Sequence, residues 1–266
     1  FAAARQAAVQ ALCPGSDIAA LLDKPNNNLA VEYCKAIIEQ NVEMQPIALP
    51  RQGADHGQAL TESAHTAFAS ASALRALWAE GGAAALAPYV PEKALKLYKQ
   101  AEYDGKYTDF AVMGHCELAL LRAACTEQAP FAAVRGVSEG LEHRLENAVR
   151  ETASLPALLD ALTTVRYPRA RMRRLAMDAA LDYSADAFPA LPPYLHLLGA
   201  QKDALPLLKA AALPVSHSLA RLAEQNAPCR AVVDAQLRAC DFGALCRKKP
   251  EPMGNALRQK IIFLTK

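Results

Sequence analysis

Residues 166–180 read Arg-Tyr-Pro-Arg-Ala-Arg-Met-Arg-Arg-Leu-Ala-Met-Asp-Ala-Ala, and this stretch indicates a helix with two unlike faces. Pro168 suits the first turn of a helix, where its missing N–H has no partner to lose. The apolar residues that follow recur at helical spacing and form one stripe, namely Met172, Leu175, Ala176 and Ala179. The stretch therefore predicts a helix that packs through this stripe and leaves its arginines on the outside.

An arginine cluster accompanies the stripe and consists of Arg166, Arg169, Arg171, Arg173 and Arg174. The chain as a whole is nearly neutral, with 29 Lys+Arg against 27 Asp+Glu. Like charges this close repel each other, and a bound polyanion would relieve the repulsion. The cluster predicts a phosphate-binding surface. The alternative is a solvated basic face that pairs partly with acids such as Glu139, Glu142 and Glu146.

Helical spacing continues on both sides of this stretch, from Pro91 to about Tyr183. Before Pro91 the pattern alternates between helix and strand, with a short apolar strand predicted at residues 43–50. After Leu191 the elements are shorter and prolines are frequent. We therefore expect three parts, residues 1–85 with α/β character, residues 86–190 with helices, and residues 191–266 as a smaller C-terminal segment.

The composition excludes several classes of protein. A 266-residue chain with 52% hydrophobic residues and a net charge of +2 can bury a large core and is not disordered. Its apolar runs are far shorter than the roughly 20 residues of a membrane span, and no secretion signal opens it. Seven cysteines without a C-x-x-C pair, and scattered histidines, predict reduced thiols and no metal site. We expect a cytoplasmic protein with no membrane partner.

Two short segments are candidates for nucleotide binding. Asn26 and Asn27 open a predicted helix, and Arg51 follows the predicted strand; amides and a guanidinium can bind a base, a ribose or a phosphate. Ser70, Ser72 and Arg75 mark a second helix start, where backbone N–H groups and the helix dipole favour an anion. The alternative is that the asparagines and serines only cap helices while Arg51 is solvated.

Seven segments carry a resemblance to a known family. In chain order they are Phe1-Ala-Ala-Ala-Arg-Gln, Pro25-Asn-Asn-Asn-Leu-Ala-Val-Glu-Tyr, Arg51-Gln-Gly-Ala-Asp-His, Ala69-Ser-Ala-Ser-Ala-Leu-Arg, Val137-Ser-Glu-Gly-Leu-Glu-His-Arg-Leu-Glu-Asn, Arg166-Tyr-Pro-Arg-Ala-Arg-Met-Arg-Arg and Pro193-Tyr-Leu-His-Leu-Leu-Gly. Together they resemble the bacterial tRNA(Met) cytidine acetate ligases over essentially the whole chain.

The resemblance implies a mostly α protein, in which a partial Rossmann-like α/β nucleotidyltransferase domain precedes an α-helical, tRNA-binding domain. Members of the family activate acetate with ATP, with Mg²⁺ expected, and acetylate N4 of the wobble cytidine in elongator tRNA(Met). By motif, the residues that would contact ATP are Asn26, Asn27, Arg51, Ser70, Ser72 and Arg75. The arginine cluster, Arg166 to Arg174, would bind the tRNA backbone.

One departure from the family concerns catalysis. The family begins with a strand and a His-x-Gly-His loop, and this sequence contains no such motif. It also starts without Met, inside a predicted helix, which suggests a truncated form. We name no catalytic residue and expect the chain by itself to be inactive. The alternatives are a tRNA- or RNA-binding module without catalysis, and a helical domain whose arginines bind an acidic protein.

Overall fold

The computed structural model describes residues 2–15, 17–22, 24–49 and 69–264. By its internal contacts the chain divides into two units, Phe1–Ala73 and Leu74–Lys266. The boundaries that we expect near residues 85 and 190 stay predictions. Within the described ranges, no helix has both the length and the apolar character needed to cross a membrane.

The described part of the first unit holds three helices, α1 (Ala2–Leu12), α2 (Ile18–Leu21) and α3 (Pro25–Glu39). Helix α3 starts at the proline, where the missing N–H costs no hydrogen bond. The asparagines after it do not cap α3. Instead Asn27 Nδ2 donates to Leu21 O at 2.8 Å and Asn28 Nδ2 to Leu22 O at 2.6 Å, so they satisfy carbonyl groups at the end of α2.

The strand predicted at residues 43–50 is wrong over its described part, residues 43–49. These residues form neither helix nor strand and pair with no strand among the described residues. Ile47 and Leu49 expose 80% and 87% of their surface. An apolar run between prolines has the composition of a strand, but a strand also requires a hydrogen-bonded neighbour, which composition does not reveal.

The second unit is built mainly from helices. They are α4 (Ala71–Gly81), whose first three residues belong to the first unit, α5 (Glu92–Asp104), α6 (Phe110–Ala124), α7 (Leu141–Glu151), α8 (Leu155–Leu162), α9 (Arg169–Ala180), α10 (Leu219–Ala223) and α11 (Ala227–Leu245). Helices α6 to α9 pack around the main core, whose fully buried side chains include Leu121, Leu145, Val149, Leu158, Leu162 and Met172. The helical character predicted from Pro91 to Tyr183 is confirmed except at residues 125–140, which form turns between α6 and α7.

Side-chain caps set where several of these helices start. Asp109 Oδ1 accepts hydrogen bonds from Ala111 N and Val112 N, at 3.0 and 3.2 Å, at the start of α6. Asn226 Oδ1 accepts from Cys229 N at 2.8 Å at the start of α11. These oxygens satisfy N–H groups that have no partner inside the helix. Helix α11, which has 19 residues, is longer than the short elements that the sequence predicts after Leu191.

The residues after α9 also form two pairs of short parallel strands. Strand β1 (Leu195–His196) pairs with β3 (Val215–Ser216), and β2 (Gly199–Gln201) pairs with β4 (Ile262–Leu264). Hydrogen bonds join this region to the main helices: Asp109 N donates to Cys246 O at 2.8 Å, and Tyr183 Oη donates to Ala235 O at 2.6 Å. The C-terminal residues therefore share one unit with α6 to α9.

The main core leads to a first prediction. Leu145→Ala should lower the free energy of unfolding by about 2–5 kcal/mol, because the side chain is fully buried in the core and its loss leaves a cavity. Leu191→Ala is the matched control, because 78% of Leu191 is exposed, and it should change stability by no more than about 0.5 kcal/mol. Urea unfolding followed by circular dichroism measures both, and equal effects would contradict this placement of the core.

Candidate nucleic-acid interface

The apolar stripe of α9 is buried as predicted. Met172 and Ala176 are completely inaccessible to solvent, and Leu175 and Ala179 expose only 4% and 6% of their surface. The stripe packs against α6 and α8 in the main core. Pro168 lies at the N-cap, immediately before the first helical residue. The backbone of α9 is therefore held firmly, and so are the points from which its arginines project.

Two members of the arginine cluster are bound to nearby carboxylates. Arg166 forms an ion pair with Glu139, and Arg169 forms one with Asp160 on α8. The pairing with Glu139 was one of the alternatives expected from the sequence. The other two acids expected there, Glu142 and Glu146, contact His143 and Arg150 instead, at 3.8 and 2.7 Å.

Arg171 lies against an aromatic ring. Its guanidinium carbon is 5.1 Å from the centre of the Tyr167 ring, and that of Arg166 is 5.7 Å from the same ring. Tyr167 Oη donates to Glu139 Oε2 at 3.0 Å, which holds the ring in place. Cation–π contact of this kind is attractive and orients the guanidinium. Arg171 is therefore half-buried, and its charge is only partly available to a ligand.

Arg173 and Arg174 differ from the other three arginines. Both side chains are exposed, and neither has a hydrogen bond or an ion pair with another described residue. They are consecutive on α9, so their side chains point about 100° apart around the helix, both away from its buried stripe. Two unpaired guanidinium groups on a rigid helix suit the phosphates of a nucleic-acid backbone.

A buried carboxyl group that the sequence analysis missed lies beneath this surface. Glu117 on α6 is completely inaccessible to solvent, and neither of its carboxyl oxygens has a hydrogen-bond partner. Burial raises the pKa of Glu117 to about 7, while the positive charge of Arg173 acts in the opposite direction. A single acid within the apolar run Met113–Leu121 was the signal available in the sequence.

The second candidate nucleotide segment forms a capped helix start. Ser70 is buried, and its Oγ accepts a hydrogen bond from Ala73 N at 3.2 Å, so the predicted cap is confirmed. Ser72 and Arg75 are exposed in the first turn and a half of α4. Arg75 has no hydrogen bond or ion pair with another described residue. The free N–H groups, the hydroxyl and the guanidinium together form a donor set that suits a phosphate.

The first candidate segment keeps fewer free donors. Asn26 is exposed in the first turn of α3, whereas the amide nitrogen of Asn27 is bound to Leu21 O. Arg51 lies outside the described residues. Of the residues that are described, none form a group of three or more His, Cys, Asp or Glu that could hold a metal ion. The assignment of these positions to ATP stays a prediction, and we assign no residue to Mg²⁺.

Sequence comparison relates the chain to one group of proteins. The family model described as HIGH Nucleotidyl Transferase matches residues 1–256. The chain is 27% identical over 233 residues to a tRNA(Met) cytidine acetate ligase of Listeria monocytogenes serovar 1/2a, covering 86% of this chain and 56% of that protein. It is 25% identical over 262 residues to the protein of the same name from Thermoanaerobacter sp. (strain X514), covering 96% and 63%. The chain thus spans about half the length of the curated relatives that it matches.

Structural comparison gives a consistent result for the fold. The crystal structure of Thermotoga maritima TmcAL, apo form I, superposes with a TM-score of 0.75 at 21% sequence identity, covering 92% of this chain and 62% of that one. The form bound with alpha-thio ATP superposes with a TM-score of 0.74 at 20% identity, covering 93% and 62%. The mostly α fold with a partial nucleotidyltransferase-like domain, as predicted from the sequence, is confirmed.

Glu117 leads to a second prediction. Because its pKa is about 7 in the folded chain and 4.5 ordinarily, the folded state keeps a proton that the unfolded state loses. The stability that this proton confers is complete below pH 4.5 and is lost as the pH rises to about 7. The Gln variant cannot titrate. Between about pH 4.5 and pH 8, the free energy of unfolding of the original chain should therefore fall by on the order of 3 kcal/mol relative to that of Glu117→Gln.

Urea unfolding at several pH values measures this difference. Glu80→Gln is the control, because it removes an exposed carboxyl group from α4 and should leave the pH dependence of unfolding unchanged. If Glu117→Gln and the original chain show parallel pH profiles, Glu117 has an ordinary pKa and is not buried as described.

Proposed function

Because the chain belongs to the HIGH Nucleotidyl Transferase family, we propose that it acts within an ATP-dependent ligase that acetylates a cytidine of tRNA(Met). The names of its curated relatives support the choice of acetate and tRNA(Met). The binding of alpha-thio ATP by Thermotoga maritima TmcAL supports ATP as the nucleotide. In this proposal the residues of α9 bind tRNA, and the starts of α3 and α4 contribute to the binding of ATP.

One observation carries the assignment of tRNA binding to α9. Arg173 and Arg174 are exposed, have no hydrogen bond or ion pair with another described side chain, and project from a helix whose apolar stripe is buried. Phosphate contacts of this type fix the position of an RNA without reading its bases. Arg171 and Arg166, which contact Tyr167, extend the same basic surface toward the start of the helix.

The chemistry proposed for the whole ligase has two steps. An acetate oxygen attacks the α-phosphorus of ATP, and pyrophosphate leaves with the electrons of the broken P–O bond. N4 of the cytidine then attacks the carbonyl carbon of the acetyl-adenylate, AMP leaves, and N4 loses a proton. In this scheme Asn26, Asn27, Arg51, Ser70, Ser72 and Arg75 bind ATP. Their donors would offset negative charge on its phosphates.

A second candidate function has one observation in its favour. Arg166 and Arg169 already bind the carboxylates of Glu139 and Asp160. The same cluster could therefore bind an acidic protein instead of RNA. A third possibility lies between the ligase and the protein-binding domain: a module that binds RNA but does not catalyse a reaction. Salt-dependent tRNA binding distinguishes the RNA-binding functions from the protein-binding one.

The RNA-binding proposal leads to a third prediction. Replacing Arg173 and Arg174 together by Ala should weaken tRNA binding and reduce the slope of log K against log salt by about one unit or slightly less for each lost phosphate contact. Stability should change by no more than about 0.5 kcal/mol, because both side chains are exposed. Fluorescence anisotropy with labelled tRNA over a range of salt concentrations measures the affinity and the slope.

The control removes the same charge elsewhere. Lys93 and Lys99 are exposed on α5, and their double Ala variant should keep the original salt slope. If both double variants bind tRNA equally, the effect is one of net charge and α9 is not the binding surface. If the original chain binds an acidic protein but no tRNA, the second candidate function is correct.

ATP binding leads to a fourth prediction. Arg75→Ala should weaken ATP binding by about tenfold or more, because a charge-assisted hydrogen bond to phosphate is worth roughly 1.5–3 kcal/mol. Lys99→Ala, which also removes one positive charge, should leave the affinity unchanged. Isothermal titration calorimetry measures both, and an unchanged affinity in Arg75→Ala would remove α4 from the ATP site.

A further inference from the structure

Beside the arginine cluster lies a cavity of about 470 Å³ that none of the preceding assignments uses. One wall is a single face of α7, which carries Arg144, Asn147 and Glu151. Ala161 of α8, Tyr167 and Glu139 also line the cavity. The volume falls in the range of about 300–1,000 Å³ that is usual for sites that bind small organic groups.

We propose that this cavity receives one unpaired nucleobase of the bound RNA, and that it favours a base with an exocyclic amino group. The proposal rests on the proposed RNA-binding function and adds a base-binding subsite to it. Three features of the cavity support this assignment, namely the charges at the cavity, the charges outside it and the polar groups that remain without partners among the described residues.

The charges inside and outside the cavity match the two ends of a nucleotide. Glu139 and Glu151 place carboxylates at the cavity, and the guanidinium of Arg144 is bound to Ala161 O at 2.6 Å. Because Glu139 is paired with Arg166, Glu151 is the carboxylate at the cavity without a partner among the described residues, and its charge disfavours a phosphate beside it. Arg171, in contrast, lies on the ring of Tyr167 and is not among the residues that line the cavity, so its guanidinium can contact a phosphate outside it. A nucleotide would therefore place its base inside and its phosphate outside.

The free polar groups suit the edge of a base. Asn147 and Glu151 have no hydrogen bond or ion pair with any other described residue, and both are exposed to the cavity. Because they are four residues apart on α7, their side chains are neighbours on one face. The Glu151 carboxylate accepts hydrogen bonds, and the Asn147 amide also donates them. Cytosine presents an amino donor next to ring acceptors, whereas uracil presents a carbonyl in place of the amino group.

An unpaired base is also the part of an RNA that proteins most readily recognise. Base edges in the deep major groove of an RNA duplex are poorly accessible, while unpaired bases can turn outward and stack on aromatic or guanidinium planes. Tyr167, with Arg171 on its ring at 5.1 Å, provides such a surface at the cavity. Arg173 and Arg174 on α9 would hold the backbone of the same RNA.

The test compares two single-stranded RNAs of equal length and charge, oligocytidylate and oligouridylate. The original chain should bind oligocytidylate at least about fivefold more tightly, as measured by fluorescence anisotropy at one salt concentration. Glu151→Ala and Asn147→Ala should each reduce this preference toward equal affinity and leave the salt slope unchanged. Glu142→Ala, on the same helix but outside the cavity, should keep the preference. Thermal unfolding of each variant checks that it is folded.

Each other result overturns a defined part of the proposal. Equal, salt-dependent binding of both RNAs by the original chain removes the subsite and leaves RNA binding in place. A preference that survives in Glu151→Ala, or is lost in Glu142→Ala, shows that the cavity does not read the base. Competition by free cytidine monophosphate as strong as that by oligocytidylate makes a mononucleotide the ligand instead of RNA. Failure to bind either RNA overturns the proposed function together with the subsite.

Discussion

Burial of the apolar stripe on α9 is the constraint on which the candidate interface depends. Met172 and Ala176 are completely enclosed by the main core, so α9 can neither rotate nor slide without exposing them. Close packing of this kind makes a helix rigid, because any shift opens voids or creates clashes. The arginines of α9 thereby have fixed starting points. A basic surface held in this way binds a ligand with less loss of conformational freedom than one on a mobile loop.

Local contacts divide the arginine cluster into groups with different properties. Carboxylates engage Arg166 and Arg169, the ring of Tyr167 orients Arg171, and Arg173 and Arg174 stay unpaired. Exposed ion pairs contribute little to stability, typically about 0–1 kcal/mol. Their main effect here is on the distribution of charge, because they reduce the field near Glu139 and Asp160 and leave the strongest unpaired charge on the middle of α9.

The buried Glu117 connects the core to that surface. A carboxyl group without a hydrogen-bond partner is unfavourable in an apolar core, and its ionised form is more unfavourable still. The exposed guanidinium of Arg173 is the cation whose charge opposes the rise in the pKa of Glu117. Protonation of Glu117 and the charge of Arg173 are therefore energetically linked.

The sequence alone determined the features that depend on neighbours along the chain. The stripe of α9, the Ser70 cap and the helices between Pro91 and Tyr183 follow from spacing or capping within a few residues, and the structure confirms them except at residues 125–140, which are turns. Only the tertiary structure decided which arginines are paired and that Glu117 is buried. It also decided that residues 43–49 have no partner strand among the described residues, and that Glu151 and Tyr167 line the same cavity. These features depend on groups distant in sequence, and periodicity within one segment carries no information about which distant segment packs against it.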